Sequence, residues 1–166
     1  MKTLYIARHA KSSWKYPDLN DHDRPLLEKG KKRTRKVINF LKNERVQPEI
    51  ILSSTARRAA ETATYFASGC GVGSENLVFE AALYHAGREE LFRYLAHVSN
   101  QIQSLMIVGH NPAMTNFANH FLRDPIHWLP TSAVIGLQID TPDWSGIASA
   151  ACELRFIAIP KSMQDT

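Results

Sequence analysis

Arg8 and His9 stand together at the end of the apolar run Leu4-Tyr5-Ile6-Ala7, and His110 closes a second run, Leu105-Met106-Ile107-Val108-Gly109. A third run, Ile50-Ile51-Leu52, stops at Ser53-Ser54, and Arg57-Arg58 follow at the start of a helical pattern. Short runs of this type fill the buried strands of an α/β sheet. Residues just past such strands gather at the carboxyl edge, where open α/β sheets bind their ligands. Arginine brings a permanent charge and a planar fork that fits oxyanions, and histidine can serve as nucleophile, acid or base near neutral pH. Two residues of each kind, Arg8, Arg58, His9 and His110, suit chemistry on a phosphoryl group without a metal or cofactor.

That chemistry can be written out from the residue types. Arg8 and Arg58 would hold the non-bridging oxygens by charge-assisted bonds. One neutral imidazole would attack phosphorus in line and carry the group covalently, while the second donates to the equatorial oxygens and water discharges the intermediate. The neighbouring cations should lower the pKa of His9 and keep it unprotonated. No glycine-rich Walker loop and no Asp/Glu pair for a two-metal centre is present, and His22, His85, His97, His120 and His127 are scattered without ligand spacing.

The elements that must position these groups follow in order. A polar loop from Ser12 to Asp23, with Trp14 and Tyr16, is a candidate pocket wall. A helix is expected from Arg24-Pro25-Leu26, capped by Asp23, with Val37, Ile38, Phe40 and Leu41 on its apolar face. The same segment carries the dense basic run Lys29, Lys31, Lys32, Arg33, Arg35 and Lys36, which reads as a solvated face or a surface for an acidic partner. A second helix is expected from about Thr55, with Gly69 at its C-terminus. The cations Arg57 and Arg58 sit at its positive end, which makes sense if an anion is shared there. Leu77-Val78-Phe79 is a short strand, Glu89 to Val98 a helix, and Asn111-Pro112 should cap and start another helix. Ala133–Ile139 and Cys152–Ile159, separated by turn formers, read as an antiparallel hairpin.

The expected fold is α/β with three layers: a mostly parallel sheet, helices on both faces, and the hairpin at its C-terminal end, all in one domain over residues 1–166. Twenty Lys+Arg against sixteen Asp+Glu give +4, which favours anionic ligands but is weak as a nucleic-acid signal. No apolar run approaches the roughly eighteen residues of a membrane span, and the run before Arg8 is too short for a signal peptide. Cys70 and Cys152 fit no metal spacing or disulfide framework, so the expectation is a cytoplasmic protein without nucleic-acid or membrane partners.

Arg8-His9-Ala10, the stretch 54–63 with Arg58-Ala59 and Thr62-Ala63, and Gly109-His110 together resemble the signature of the histidine phosphatase superfamily, with its phosphoglycerate-mutase-like fold. Ala10 replaces the family's usual glycine. That change, the segment Asp21-His22-Asp23-Arg24-Pro25-Leu26, and Thr131-Ser132-Ala133 resemble the branch of SixA-type phosphohistidine phosphatases. The resemblance spans nearly the whole chain. It implies His9 as phosphoacceptor, Arg8, Arg58 and His110 as the rest of the phosphate pocket, and Ser12 as a further phosphate neighbour. Arg58 is preferred to Arg57 because it immediately precedes Ala59.

Members of the family that act on esters carry an acidic proton donor after the third strand. Here the matching region reads Glu80-Ala81-Ala82-Leu83-Tyr84-His85, with Ala82 at the aligned position, Glu80 as a candidate donor out of register, and Asp18 or Asp21 as further acids that could reach in. An alkoxide needs such an acid, whereas imidazole, with a pKa of about 6.5, can leave already protonated. The gap points to phosphohistidine in a protein as substrate. The alternatives are a small phosphate ester, such as a sugar phosphate, and a non-catalytic module that binds phosphate or a phosphoprotein.

Overall fold

The computed structural model describes residues 1–163. Six strands form one sheet: β1 (Lys2–Arg8), β2 (Ile50–Ser54), β3 (Leu77–Glu80), β4 (Ser104–Gly109), β5 (Val134–Ile139) and β6 (Cys152–Ala158), in the order β3-β2-β4-β1-β5-β6. The pairs β1–β4, β2–β4 and β2–β3 are parallel, and β5 runs antiparallel to both β1 and β6. The helices are α1 (Glu28–Asn43), α2 (Arg57–Cys70), α3 (Arg88–Ala96) and α4 (Ala113–Phe121).

Chain direction explains the layers. From β1 to β2 to β3 the chain moves one way across the sheet, and right-handed crossovers place α1 and α2 on the same face. From β3 it returns to β4, so α3 lies on the opposite face. Each face closes over its own core. Val37, Leu41, Ala63 and Phe66 of the first two helices pack on Ala7, Met106 and Val108. Leu91, Leu95, Met114 and Phe117 of the other two pack on Leu4, Ile6 and Ile107. Alternation along β1, with Leu4 and Ile6 on one side and Ala7 on the other, serves both cores. No helix among the described residues is long and apolar enough to cross a membrane.

Several element boundaries differ from the sequence expectation. The first helix begins at Glu28, not Arg24, because residues 25–27 are held extended along the segment after β1. The Ser13 N–H donates to the Pro25 carbonyl at 2.8 Å and the Leu27 N–H to the Lys11 carbonyl at 2.9 Å, around a bridge between Ser12 and Leu26. The helix after β2 begins at Arg57 and ends on Gly71, whose φ of 71° is left-handed; Gly69 lies inside the last turn. Asn111 does act as a cap, its Oδ1 accepting from the Thr115 N–H at 3.0 Å, but the helix opens at Ala113 after Pro112. The hairpin is present as expected, with Trp144 buried in its connection.

Candidate active site

Strand register brings the two histidines together. Arg8 pairs with Gly109 across the parallel β1–β4 ladder, so His9 and His110 leave the sheet side by side. The His9 N–H donates to the Gly109 carbonyl at 3.1 Å, and the two imidazole centroids lie 5.1 Å apart. His9 is fixed further by its surroundings. Its Nδ1 lies 2.7 Å from the Ala10 carbonyl oxygen, an atom that can only accept, so Nδ1 carries the proton and Nε2 keeps the lone pair. Ala10 is held in turn by its N–H donating to Thr62 Oγ1 at 2.9 Å, which explains the threonine one turn beyond Arg58. The His9 carbonyl accepts from the Ser132 N–H at 3.2 Å, with Ser132 in left-handed backbone at φ 65° and its hydroxyl 2.9 Å from Thr34 Oγ1.

Arg58 sits in the first turn of α2, buried, and its fork is aimed by Asp21. One guanidinium nitrogen donates to the Asp21 carbonyl oxygen at 2.7 Å and the other to its carboxylate at 2.9 Å. The Tyr84 hydroxyl donates to the same carboxylate oxygen, and Arg24 Nε donates to the other at 3.1 Å. Arg57, by contrast, is exposed and bonded to Glu61 at 2.6 Å, so Arg58 is the arginine the site receives. Arg8 donates to the Leu129 carbonyl at 3.1 Å. His110 Nε2 lies 2.8 Å from Ser54 Oγ, at the end of the neighbouring strand β2.

Three buried nitrogens in this group have no partner: Arg8 Nε, Arg58 Nε and His110 Nδ1. Buried donors are normally satisfied, and each orphan costs about 1–3 kcal/mol. Arg8, His9, Arg58 and His110 line one open cavity of about 520 Å³, together with Ser12, Arg24, Asn111 and Thr131. Such a concavity, rich in fixed donors, can hold a tetrahedral oxyanion and offer it a neutral imidazole.

Charge states follow from the same geometry. Burial first, then His110, Arg8 and Arg58, lowers the pKa of His9 to about 3 against the pull of the Ala10 carbonyl. Burial is thus the larger cause, ahead of the cations invoked from sequence. His110 is likewise lowered to about 3, by burial and then Arg58. Burial would raise the pKa of Asp21, but the Tyr84 and Arg58 hydrogen bonds and the charges of Arg58 and Arg24 hold its carboxyl well below the usual range.

Of the residues singled out from sequence, Arg8, His9, Arg58, His110 and Ser12 all meet at this cavity. Ser12 Oγ accepts from Arg24 at 2.9 Å, so its oxygen serves Arg24 first. Glu80 does not join them. It ends the edge strand β3 beside Tyr94 and does not line the cavity. Arg24, Tyr84 and Ser54 carry no site role from sequence, and Asp21 reads there only as an acid that could reach in; the segment 21–26 and the serine ending β2 are the signals that point to them.

The model of the histidine phosphatase superfamily, branch 1, matches residues 4–83. An uncharacterized Mycobacterium leprae protein is 31% identical over 114 residues, which are 67% of this chain and 68% of that protein. The chain belongs to the histidine phosphatase superfamily. An uncharacterized chloroplastic protein of Arabidopsis thaliana is 34% identical over 118 residues, 66% of this chain but 54% of the plant protein, so the match spans about half of that relative. Among solved structures, one assigned as the phosphohistidine phosphatase SixA of Agrobacterium tumefaciens superposes with a TM-score of 0.81 at 26% identity, covering 96% of this chain and 98% of that one. A protein histidine phosphatase SixA complexed with tungstate gives 0.80 at 21% identity, covering 96% and 98%. That match runs over 96% of this chain, in which both histidines stand at adjoining strand ends.

Proposed function

We propose that this chain is a phosphatase that works through a phosphohistidine intermediate on His9, needs no metal, and acts on phosphohistidine in a protein. The observation that carries the reading is the tautomer of His9: Nδ1 is committed to the Ala10 carbonyl at 2.7 Å, and Nε2 is left as the nucleophile in a cavity walled by unpartnered cationic donors. Nε2 attacks phosphorus, the bond from phosphorus to the leaving nitrogen breaks, and that imidazole departs already protonated. Arg8 and Arg58 hold the non-bridging oxygens, and His110 donates to them as charge shifts. Water then breaks the bond between phosphorus and Nε2, giving inorganic phosphate and restoring His9. The guanidiniums supply the positive charge that a metal would bring.

The choice of a nitrogen leaving group rests on the carboxylates. Asp21 is the acid held against the site's cations, and two arginines and a phenol keep it ionised. Glu80 stands beside Tyr94 and does not line the cavity. Neither is placed to give a proton to an alkoxide. The SixA neighbours, one of which holds the oxyanion tungstate, support the same reading. Transfer of radiolabelled phosphate to the protein tests the nucleophile: an acid-labile label that is absent from His9→Ala is expected, and an acid-stable label would overturn it. Turnover of a phosphohistidine protein against a panel of sugar phosphates, with and without EDTA, tests the rest. A large preference for esters, or loss of activity in EDTA, would refute the substrate or the metal-free claim respectively.

A further inference from the structure

The cavity continues past the phosphate pocket into a second group of cations. Lys11, Arg33 and Lys161 line its outer wall. Lys29 lies one turn before Arg33 on α1 and joins them: Arg33 first, then Lys11, and more weakly Lys161, depress its pKa. These four come from three separate parts of the chain, the loop after β1, helix α1 and the segment after β6. Some other surface cations have acids beside them, as in Lys31 with Glu28 at 3.0 Å and Arg88 with Glu89 at 3.0 Å. No ion pair among the described residues involves Lys11, Lys29, Arg33 or Lys161. Like charges held together without counter-charges repel one another in the free protein, and an anionic partner relieves that repulsion.

The kind of partner follows from what stands beside them. Trp14 is 79% exposed and lies on the Arg24 guanidinium, 3.6 Å from its ring centroid. Trp128 is 49% exposed and sits 5.7 Å from Arg8. Exposed tryptophans braced by arginines are the side chains that dominate protein–protein contacts. A small phosphorylated molecule would be mostly enclosed by its pocket and would leave Trp128, which does not line the cavity, in water. We infer that Lys11, Lys29, Arg33 and Lys161, flanked by Trp14, form a docking surface for a phosphoprotein whose phosphorylated side chain is surrounded by acidic residues. This inference rests on the phosphatase reading and gives the substrate protein its chemistry. The basic run on α1 thereby divides: Arg33 lines the cavity with Lys29 one turn before it, and Lys31 is paired with Glu28.

Binding separates this surface from the chemistry. Two synthetic peptides carrying a stable phosphonate analogue of phosphohistidine, one flanked by Asp and Glu and the other by Asn and Gln, are titrated calorimetrically into the His9→Ala protein. The acidic peptide should bind about tenfold tighter at low salt, and the advantage should fade toward about 0.5 M salt as screening shortens the reach of the charges. Arg33→Glu with Lys161→Glu should abolish or invert the preference, and Arg33→Gln with Lys161→Gln serves if the reversal does not fold. Equal binding of the two peptides overturns the inference. So does a salt-sensitive advantage that appears only for a small bisphosphate over a monophosphate, since the cations would then serve a second phosphate. Turnover by the unsubstituted protein is read separately: an acidic preference in binding with no hydrolysis of phosphohistidine would keep the docking surface and refute the phosphatase reading.

Discussion

The rings of His9 and His110 lie 5.1 Å apart at 48° to one another, delivered by two neighbouring parallel strands whose last paired residues are Arg8 and Gly109. Both are held neutral, and the proposed mechanism uses them in that state, one as nucleophile and one as hydrogen-bond donor.

Replacing His9 by Ala should remove the covalent step, with kcat falling about a thousandfold or more while bound substrate is retained. Single-turnover quench experiments check this, since the phosphoenzyme should vanish even where the far-ultraviolet circular dichroism is unchanged.

The pKa values near 3 for His9 and His110 set a pH dependence with a definite sign. An unfolded chain takes up protons on these rings through the ordinary range near 6.5, whereas the folded protein does so only near 3. Below about pH 6.5 the unfolded state therefore binds more protons, and stability falls as pH is lowered toward 3. Urea titrations across that window should show a shallower fall for His9→Gln and His110→Gln than for the unsubstituted protein. Over pH 5 to about 8, kcat/KM should show no titration of either imidazole.

Asp21→Asn separates aiming from acid catalysis. It removes the ion pairs to Arg58 at 2.9 Å and Arg24 at 3.1 Å, and kcat/KM should fall by about ten- to a hundredfold. If Asp21 acts by positioning, the loss should be equal for a good and a poor leaving group, measured with p-nitrophenyl and phenyl phosphate. A proton donor would instead cost the poor leaving group far more.

Gly30→Ala tests the packing behind His9. A Cβ there would lie 2.4 Å from the Lys11 carbonyl oxygen, a backbone atom that also accepts from the Leu27 N–H. The loop after β1 must move to admit it. A loss of about 1–3 kcal/mol is expected from overpacking, read as a lower thermal midpoint, with kcat reduced because the same loop holds Ala10.

The sequence carried much of this arrangement. Apolar runs ending in Arg8-His9 and Gly109-His110 announced both strands and what each presents, because buried strands advertise themselves by composition alone. Strand adjacency was not legible, since nothing local to β1 or β4 says that they pair with each other and not with β2. The start of α1 was misplaced because Asp23 and Pro25 are a sound local helix signal. A tertiary contact, the bridge between Ser12 and Leu26, overrides it. The aiming role of Asp21 is not legible for a related reason: it exists only where Arg58 and Tyr84, from two distant segments, meet Asp21 and its near neighbour Arg24. Glu80 ends an edge strand and does not line the cavity, a placement that nothing local to its sequence announces.

The Ala10 carbonyl that occupies Nδ1 of His9 also settles regiochemistry. Under the proposed mechanism only the distal ring nitrogen can accept phosphorus, so the adduct would be 3-phosphohistidine and never its 1-phospho isomer. Isomer-selective antibodies can read that difference directly on the trapped protein.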